Sequence, residues 1–186
     1  MFVVRPSFTD KFLVDEIIRL RDKWNVSAFI ETGTHVGASA AIAAKLFEVV
    51  FTCEDHNWYA SQAQEALKNI ENVHFSKCKS PDLLRSLKDD RYIVFLDAHG
   101  PHDFPLVQEL EALESYKTKP IIIIHDFYVP DENGRAKFQF DTWQGWPINL
   151  ELVLPLLDKI YGVGGYTFYF LPEQEISGAI YIEPIK

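Results

Sequence analysis

The hydrophobic and polar positions of the chain alternate between two patterns. Short runs of consecutive apolar residues are separated by longer segments in which apolar residues recur every three or four positions, as on one face of a helix. Residues 10–24 place Leu13, Ile17 and Leu20 at this spacing, and Asp10 is positioned as an N-cap. The same pattern predicts helices over 37–47, 58–70, 81–88, 105–116 and 149–161. The apolar runs predict strands over 27–32, 49–54, 72–76, 92–97 and 120–126.

The predicted strands are continuous apolar runs, of which "PIIIIHD" at 120–126 is the most apolar. Strands of this kind are covered on both faces, and their alternation with helices indicates parallel strands joined by right-handed crossovers. Near the end of the chain, "GYTFYF" and "GAIYIEP" are separated by a short loop, which favours an antiparallel pair. We therefore predict an α/β fold with a doubly wound, mainly parallel seven-stranded sheet whose last strand is antiparallel.

No repeat or linker divides the 186 residues, so residues 1–186 are predicted to form a single domain. Residues 1–26 carry a leading helix. Residues 128–147 break the strand–helix alternation, because they are irregular and rich in aromatic side chains.

The charge and cysteine content disfavour several classes of partner and compartment. The net charge is −9 and no basic cluster is visible, which argues against a nucleic-acid or anionic-membrane partner. Two cysteines are too few for a disulfide framework, which indicates a reducing compartment. No apolar run approaches the ~20 residues that span a bilayer, and no signal peptide is evident. We expect a soluble, cytoplasmic protein.

Polar residues follow the predicted strands, at the points where the strands end. Because the carboxyl ends of parallel strands meet at one edge of a sheet, and ligands of open α/β sheets bind there, these residues are the candidates for chemistry. They are Glu31, then Glu54 and Asp55, then Ser76 to Ser80, then Asp97 and His99, and finally His125 and Asp126.

The turn after the first strand has two glycines, Gly33 and Gly37, where the chain must turn sharply and let a ligand approach the next helix. His35 interrupts the dinucleotide fingerprint G-x-G-x-x-G. Glu31 would repel a pyrophosphate but suits an ammonium group, and Glu54 ends the next strand, where an acid can accept the hydroxyls of a ribose. A ligand with an amine and a ribose but no phosphate describes S-adenosylmethionine.

With these motifs the chain resembles the class I, Rossmann-like S-adenosylmethionine-dependent methyltransferases, from about residue 27 to residue 183. "FIETGTHVGAS" resembles their glycine loop, "FTCED" their ribose-binding strand end and "KSPDLL" the loop that walls the adenine. "FLDAHG" and "IIIIHDFYVP" resemble the fourth and fifth strand ends of bacterial sugar O-methyltransferases of the macrocin type.

This resemblance implies a set of site residues. The donor contacts would be Glu31, Gly33, Thr34, Gly37, Ser39, Glu54, Ser80 and Asp97. Members of the macrocin-type group bind a divalent cation through strand-end carboxylates, so a metal such as Mg²⁺ would be held by Asp97 and Asp126, with His99 or His125 as a third ligand. Asp97, His99 and Asp126 are the implied catalytic residues, and either Asp97 or His99 would take the proton of an acceptor hydroxyl.

Residues 128–147 contain Phe138, Phe140, Trp143 and Trp146 and have two interpretations. The segment is either a loop packed by its own aromatic side chains or a lid that recognises the acceptor. Because the chain is compact, a second subunit could also help to hold the acceptor, as in a homo-oligomer.

Three functions stay open at this point. The first is O-methylation of a hydroxyl on a sugar or related small molecule. The second is a nicotinamide-dependent oxidoreductase on the same kind of sheet. The third is a non-catalytic module that binds S-adenosylmethionine, for which the departures from the family pattern at His35 and His99 argue.

Overall fold

The computed structural model describes residues 7–87, 90–99 and 104–185. Its strands are β1 (Ala28–Thr32), β2 (Val49–Cys53), β3 (Val73–Ser76), β4 (Tyr92–Leu96), β5 (Ile121–Ile124), β6 (Thr142–Trp143), β7 (Trp146–Pro147), β8 (Tyr166–Phe170) and β9 (Ile180–Pro184). Its helices are α1 (Lys11–Trp24), α2 (Ala38–Ala43), α3 (Asn57–Leu67), α4 (Ser80–Ser86), α5 (Leu106–Glu114) and α6 (Leu150–Tyr161), and a 3₁₀ turn, Ser7–Thr9, precedes α1.

Seven strands form one sheet in the order β3-β2-β1-β4-β5-β9-β8. Strands β1 to β5 are parallel, and the last strand, β9, is antiparallel to both of its neighbours, β5 and β8. The predicted fold is therefore confirmed. The strand order reverses between β1 and β4, which is the position where open α/β sheets bind ligands.

The central strands β4 and β5 are continuous runs of buried, mainly aliphatic residues because helices cover both faces of the sheet. Phe29 and Phe95 pack in one core cluster with Ile17 of α1. Ile30 and its neighbours on the other face pack with Leu110 of α5 and with α6. Burial on both faces explains why the continuous apolar pattern, rather than an alternating one, identified the strands.

Helix α1 begins where the sequence predicted. The Asp10 carboxylate accepts hydrogen bonds from the backbone N–H groups of Phe12 and Leu13, at 2.8 Å and 3.2 Å, and so caps the helix. Asn25 ends the helix in the left-handed conformation, with φ +50°. None of the helices in the described part of the chain has the length and apolar character needed to span a bilayer.

Several predicted elements are shorter than the sequence pattern suggested. Helix α2 ends at Ala43 rather than near residue 47, because Lys45 and Leu46 donate to carbonyls three residues back and close a tighter turn. The sequence pattern places Ser80 as the N-cap before Pro81, but helix α4 starts at Ser80 itself and Lys79 is its N-cap; residue 88, the predicted end, lies outside the described residues. Strand β5 ends at Ile124, before Asp126 turns with φ +52°.

The segment 128–147 contains a short β6–β7 hairpin. Gln144 and Gly145 form its turn with φ +51° and +84°, the left-handed pair of a type I′ turn. The connection from β8 to β9, residues 171–179, is longer than the short loop expected from sequence, although the strands pair in antiparallel fashion as predicted. Hydrogen bonds between Gln139 and the backbone of Ile176 and Gly178 join the two segments.

Candidate active site

The glycine turn after β1 lies against the loop after β4. Gly33 has φ +79°, and a Cβ at this position would stand 2.6 Å from the carbonyl oxygen of Asp97. Gly37, with φ +88°, leads into α2. His35 also has positive φ, +52°, which only a minority of non-glycine residues adopt. Its ring packs on Tyr59 with the centroids 4.0 Å apart, and this contact accompanies the unusual conformation.

Two cavities open at the reversal point of the sheet. The first, of about 370 Å³, lies above the ends of β2 and β3. The second, of about 560 Å³, lies on the other side of the glycine turn, toward β5 and the 171–179 connection. Gly33, His35 and Asp97 line both, so they form the shared wall. A ligand that extended from one cavity into the other would pass Asp97.

Glu54 holds two loops together beside the first cavity. Its carboxylate accepts the backbone N–H of His35 and the backbone N–H of His56, each at 2.9 Å. Ser80 lines the same cavity and is buried. Glu54 therefore presents an oriented carboxylate at the end of β2, where the sequence predicted a ribose contact.

Glu31 lies beneath the glycine turn and lines neither cavity. Its side chain is 1% exposed and accepts a hydrogen bond of 2.7 Å from Thr52. The Thr52 hydroxyl lies 2.5 Å from that of Thr34, which lines the second cavity, so two hydroxyls connect the carboxylate to that cavity. Burial, assisted by the charges of Asp97 and Glu54, raises the pKa of Glu31 to about 8.

Acids and histidines gather where β4 and β5 end. Asp97, His99 and Asp126 each offer one ligand atom, and these atoms lie within 4.8 Å of one another. His125 directs Nδ1 at both carboxylates, 3.2 Å from Asp97 Oδ1 and 3.3 Å from Asp126 Oδ2. The structure thus brings together the four residues that the sequence predicted as metal ligands.

The two histidines of this cluster have different surroundings. Burial opposes the charged form of His125, but Asp97 and Asp126 outweigh it and raise the pKa of the imidazole well above its usual value. The same contact, against the opposing effect of burial, holds the pKa of Asp126 at about 2. The side chain of His99 is 1% exposed, and neither ring nitrogen has a hydrogen-bond partner among the residues that the structure describes. A buried imidazole nitrogen without a hydrogen bond is suited to coordinate a metal cation.

The predicted donor residues divide between the cavities. Glu54 and Ser80 line the first, Thr34 and Ser39 line the second, and Gly33 with Asp97 lines both. Gly37 lines neither and instead packs near Leu67, which a Cβ would approach to 3.0 Å. Among the cluster residues, His99 lines the first cavity, and His125 and Asp126 line the second.

Sequence reasoning missed two polar side chains of the cluster. Ser7 donates a hydrogen bond of 2.7 Å to Asp97 Oδ2 across 90 positions of sequence. Asp141 reaches the cluster from the 128–147 segment, and its backbone N–H donates to the Asp126 carbonyl at 2.8 Å. Burial and the charge of Asp126 raise the pKa of Asp141. No local motif marks either residue, because both contacts depend on the tertiary fold.

The 128–147 segment approaches the cluster through stacked aromatic rings. The ring of Trp143 stacks on Phe104, with centroids 5.2 Å apart and planes 12° apart. Phe104 in turn lies 6.2 Å from the ring of His99. Gln139 of the same segment lines the second cavity, whereas Trp146, at the end of the hairpin, is 78% exposed.

Comparison with known proteins finds the same fold in several solved structures. No protein-family model matches the sequence, and no curated protein matches it. Solved structures do. A Streptococcus mutans protein described as a methyltransferase candidate, in complex with SAH, has a TM-score of 0.59 at 15% identity and covers 99% of this chain and 100% of its own.

Two further structures are similar over most of both chains. An rRNA methylase from Streptococcus thermophilus has a TM-score of 0.58 at 15% identity and covers 100% of each chain. The methyltransferase domain of bacterial CtHen1-CN has a TM-score of 0.58 at 14% identity, with 93% of this chain and 97% of that one covered. The chain therefore has the Rossmann-like fold of the class I S-adenosylmethionine-dependent methyltransferases.

Proposed function

We propose that the protein transfers the methyl group of S-adenosylmethionine to a hydroxyl of a sugar or related small molecule. The observation that carries the proposal is the shared wall of Gly33, His35 and Asp97, at which two cavities meet at the reversal point of the sheet. Such a pair of chambers allows a donor in one to face an acceptor in the other, as in-line transfer requires.

The charge around the glycine turn favours a cationic donor. Asp97 and Glu54 act on buried Glu31 strongly enough to help raise its pKa, so negative charge accumulates on this side of the sheet. A sulfonium with an ammonium group relieves that repulsion, whereas a pyrophosphate adds to it. The acids therefore argue against the nicotinamide alternative, and the SAH complex of the Streptococcus mutans protein is consistent with this choice.

The donor occupies the first cavity with its adenosine and extends past Asp97. The ribose hydroxyls meet the Glu54 carboxylate, which His35 and His56 hold in place, and the adenine lies toward Ser80. The ammonium group lies over the glycine turn, where Thr34 and Thr52 link it to Glu31. The methyl group then points toward the second cavity.

The second cavity suits a small acceptor. Its volume of about 560 Å³ is that of a small-molecule site. The net charge of −9 makes a nucleic-acid acceptor unfavourable, although one structurally similar protein is an rRNA methylase. Gln139 of the 128–147 segment lines this cavity, and the stack of Trp143 on Phe104 holds the segment near the cluster.

The residues of the cluster also fit a divalent cation. Asp97, His99 and Asp126 would hold it, and the observation that supports this is that no described residue hydrogen-bonds the ring nitrogens of His99. A cation bound there would lower the pKa of an acceptor hydroxyl. Asp97 or His99 receives the hydroxyl proton, the oxygen attacks the methyl carbon, and the sulfur leaves with the electron pair of its broken bond. Ser7 keeps Asp97 oriented for this step.

Calorimetry followed by a transfer assay tests the proposal. S-adenosylmethionine and SAH should bind, NAD should not, and Glu54→Gln should weaken donor binding by about tenfold. Glu71→Gln, at an exposed glutamate, is the matched control. Radiolabelled methyl groups should then reach members of a sugar panel and not rRNA. Binding of NAD alone would refute the proposal, and donor binding without transfer to any acceptor would favour the non-catalytic module.

A further inference from the structure

The two cysteines of the chain lie side by side in the wall of the first cavity. Cys53 ends β2, and its register partner on β3 is Ser76, two residues before Cys78. Both residues line the cavity, and each thiol acts on the pKa of the other. Neither forms a disulfide in the structure. The donor chemistry proposed above uses neither of them.

From this arrangement we infer that Cys53 and Cys78 form an oxidation site, at which a peroxide converts the two thiols into a disulfide that alters the first cavity. Its effect on donor binding rests on the proposed function; the oxidation chemistry does not.

The two positions have the unequal exposure that such a site needs. Cys53 is 1% exposed, is fixed at the end of a central strand, and its carbonyl accepts the N–H groups of Gly33 and Thr34. Cys78 is half-buried in the irregular stretch between β3 and α4, so it can be reached from the cavity. Because Cys78 is the more exposed of the two, it is the thiol that reacts with peroxide. The buried Cys53 is then the thiol that forms the disulfide with the oxidised Cys78.

The interaction between the two thiols also favours Cys78 as the nucleophile. The Cys53 thiol and the backbone N–H of Leu83, against burial and the charges of Asp82 and Asp55, lower the pKa of Cys78 to about 7. The same interaction, followed by burial, raises the pKa of Cys53. The thiolate is the form that reacts with peroxide, so Cys78 is partly reactive near neutral pH.

The chemistry balances with hydrogen peroxide as the oxidant. The Cys78 thiolate attacks one peroxide oxygen, the O–O bond breaks, and a sulfenic acid forms with release of hydroxide. The sulfur of Cys53 then displaces the sulfenic oxygen, which leaves as water after it takes the Cys53 proton, and the S–S bond forms. Overall two thiols and one peroxide give one disulfide and two waters. A thiol reductant reverses the change.

A disulfide would alter the walls that face the donor. An S–S bond is about 2.05 Å long, so the two sulfurs must come closer together than in any non-bonded contact. Because Cys53 is fixed in the sheet, the stretch that carries Cys78 must move, and with it Lys79 and Ser80, which line the cavity. Oxidation should therefore weaken donor binding without unfolding the protein.

Mass spectrometry of the intact and digested protein tests the oxidation site independently of any ligand. Micromolar hydrogen peroxide should give a Cys53–Cys78 disulfide within one chain, which dithiothreitol reduces. In Cys53→Ala, which keeps a small side chain at the buried position, oxidation should stop at a sulfenic acid on Cys78 that dimedone traps. In Cys78→Ser, Cys53 should stay reduced.

Calorimetry then connects the site to the donor. The oxidised protein should bind S-adenosylmethionine at least about tenfold more weakly than the reduced protein, with recovery after dithiothreitol, and Cys78→Ser should show no peroxide effect. Thiols that stay free in peroxide, disulfides between chains, or unchanged donor affinity after oxidation would each overturn the inference. If the reduced protein does not bind S-adenosylmethionine but peroxide still produces the disulfide, the proposed function is refuted and the oxidation site stands.

Discussion

Gly33 and Asp97 meet at the reversal point of the sheet, and the backbone of Asp97 leaves no space for a side chain at position 33. A Cβ at position 33 would lie 2.6 Å from the Asp97 carbonyl oxygen and 2.8 Å from the α-carbon of Ala98. Both contacts are with backbone, which cannot rotate away as a side chain could. The contact fixes the glycine turn against the loop that carries Asp97.

Gly33→Ala should therefore destabilise the protein and weaken donor binding. The positive φ alone costs about 1 kcal/mol for a residue with a Cβ, and the backbone clash adds to it. We expect a loss of stability of at least about 2 kcal/mol in urea unfolding. Gly134→Ala is the matched control, because Gly134 has φ +74° and open space around its Cβ position. Equal losses in the two variants would show that the contact with Asp97 is unimportant.

The pH dependence of stability should report the burial of Glu31. Its pKa is about 8 in the fold against 4.5 ordinarily, so between these values the folded protein keeps a proton that the unfolded chain releases. The stabilising contribution of the protonated group is complete below pH 4.5 and is lost as the pH rises toward 8. A single group of this kind gives a slope of about 1.4 kcal/mol per pH unit at most.

Glu31→Gln should remove this slope, because the amide does not titrate. Urea unfolding of wild type and variant at several pH values between 5 and 8 is the measurement, and Glu71→Gln, at an exposed position, is the control. The difference between wild type and Glu31→Gln isolates the one group from other titrations, including that of His125. Parallel pH profiles for the two proteins would show that Glu31 is not protonated in the fold.

The strands and the clustering of their polar ends were predictable, because both follow from local pattern and topology. Four adjacent isoleucines identify β5, and parallel strands necessarily bring Asp97 and Asp126 to one edge. The contact from Ser7 to Asp97 was not predictable, because it spans 90 positions and depends on where the chain runs before α1. Asp141 likewise reaches the cluster only through the path of the 128–147 segment.

His35 illustrates a different limit. The sequence shows that a histidine stands within a glycine turn, but not that the turn needs a left-handed residue there. The packing of its ring on Tyr59, at 4.0 Å, is a tertiary contact that accompanies this conformation. The helix ends were misplaced for a related reason, since tighter hydrogen bonds rather than a residue pattern end α2 near Ala43.

Removal of the His99 imidazole should weaken binding of a divalent cation. The His99 ring is buried, has no hydrogen-bond partner within residues 7–87, 90–99 and 104–185, and lies with Asp97 and Asp126 in a group whose ligand atoms are within 4.8 Å of one another. Mg²⁺ and Mn²⁺ titrated into the protein should bind, with Mn²⁺ favoured by the imidazole, and His99→Ala should reduce affinity by at least about tenfold. Chelation by EDTA should lower the thermal stability of the loaded protein.

His74→Ala is the control for the metal titration, because His74 is exposed on the edge strand β3. Calorimetry and thermal unfolding both report binding without an acceptor. Equal cation affinity in wild type and His99→Ala would exclude the imidazole as a ligand. No binding of either cation to wild type would mean that His125, which contacts both carboxylates, supplies the positive charge of the cluster.

Replacement of Trp143 should impair recognition of the acceptor and leave the donor unaffected. Its ring stacks on Phe104 at 5.2 Å, and Phe104 lies beside His99, so the stack positions the 128–147 segment next to the cluster. Loss of an aromatic pair costs about 1 kcal/mol, so Trp143→Ala should raise the acceptor KM between about fivefold and tenfold.

Trp146→Ala, at a position that is 78% exposed, should raise the acceptor KM less than Trp143→Ala does. The KM for S-adenosylmethionine is the internal control, because no residue of the 128–147 segment lines the first cavity, whereas Gln139 of this segment lines the second. If both tryptophan variants keep the acceptor KM of wild type, the segment is a packed loop and not a lid.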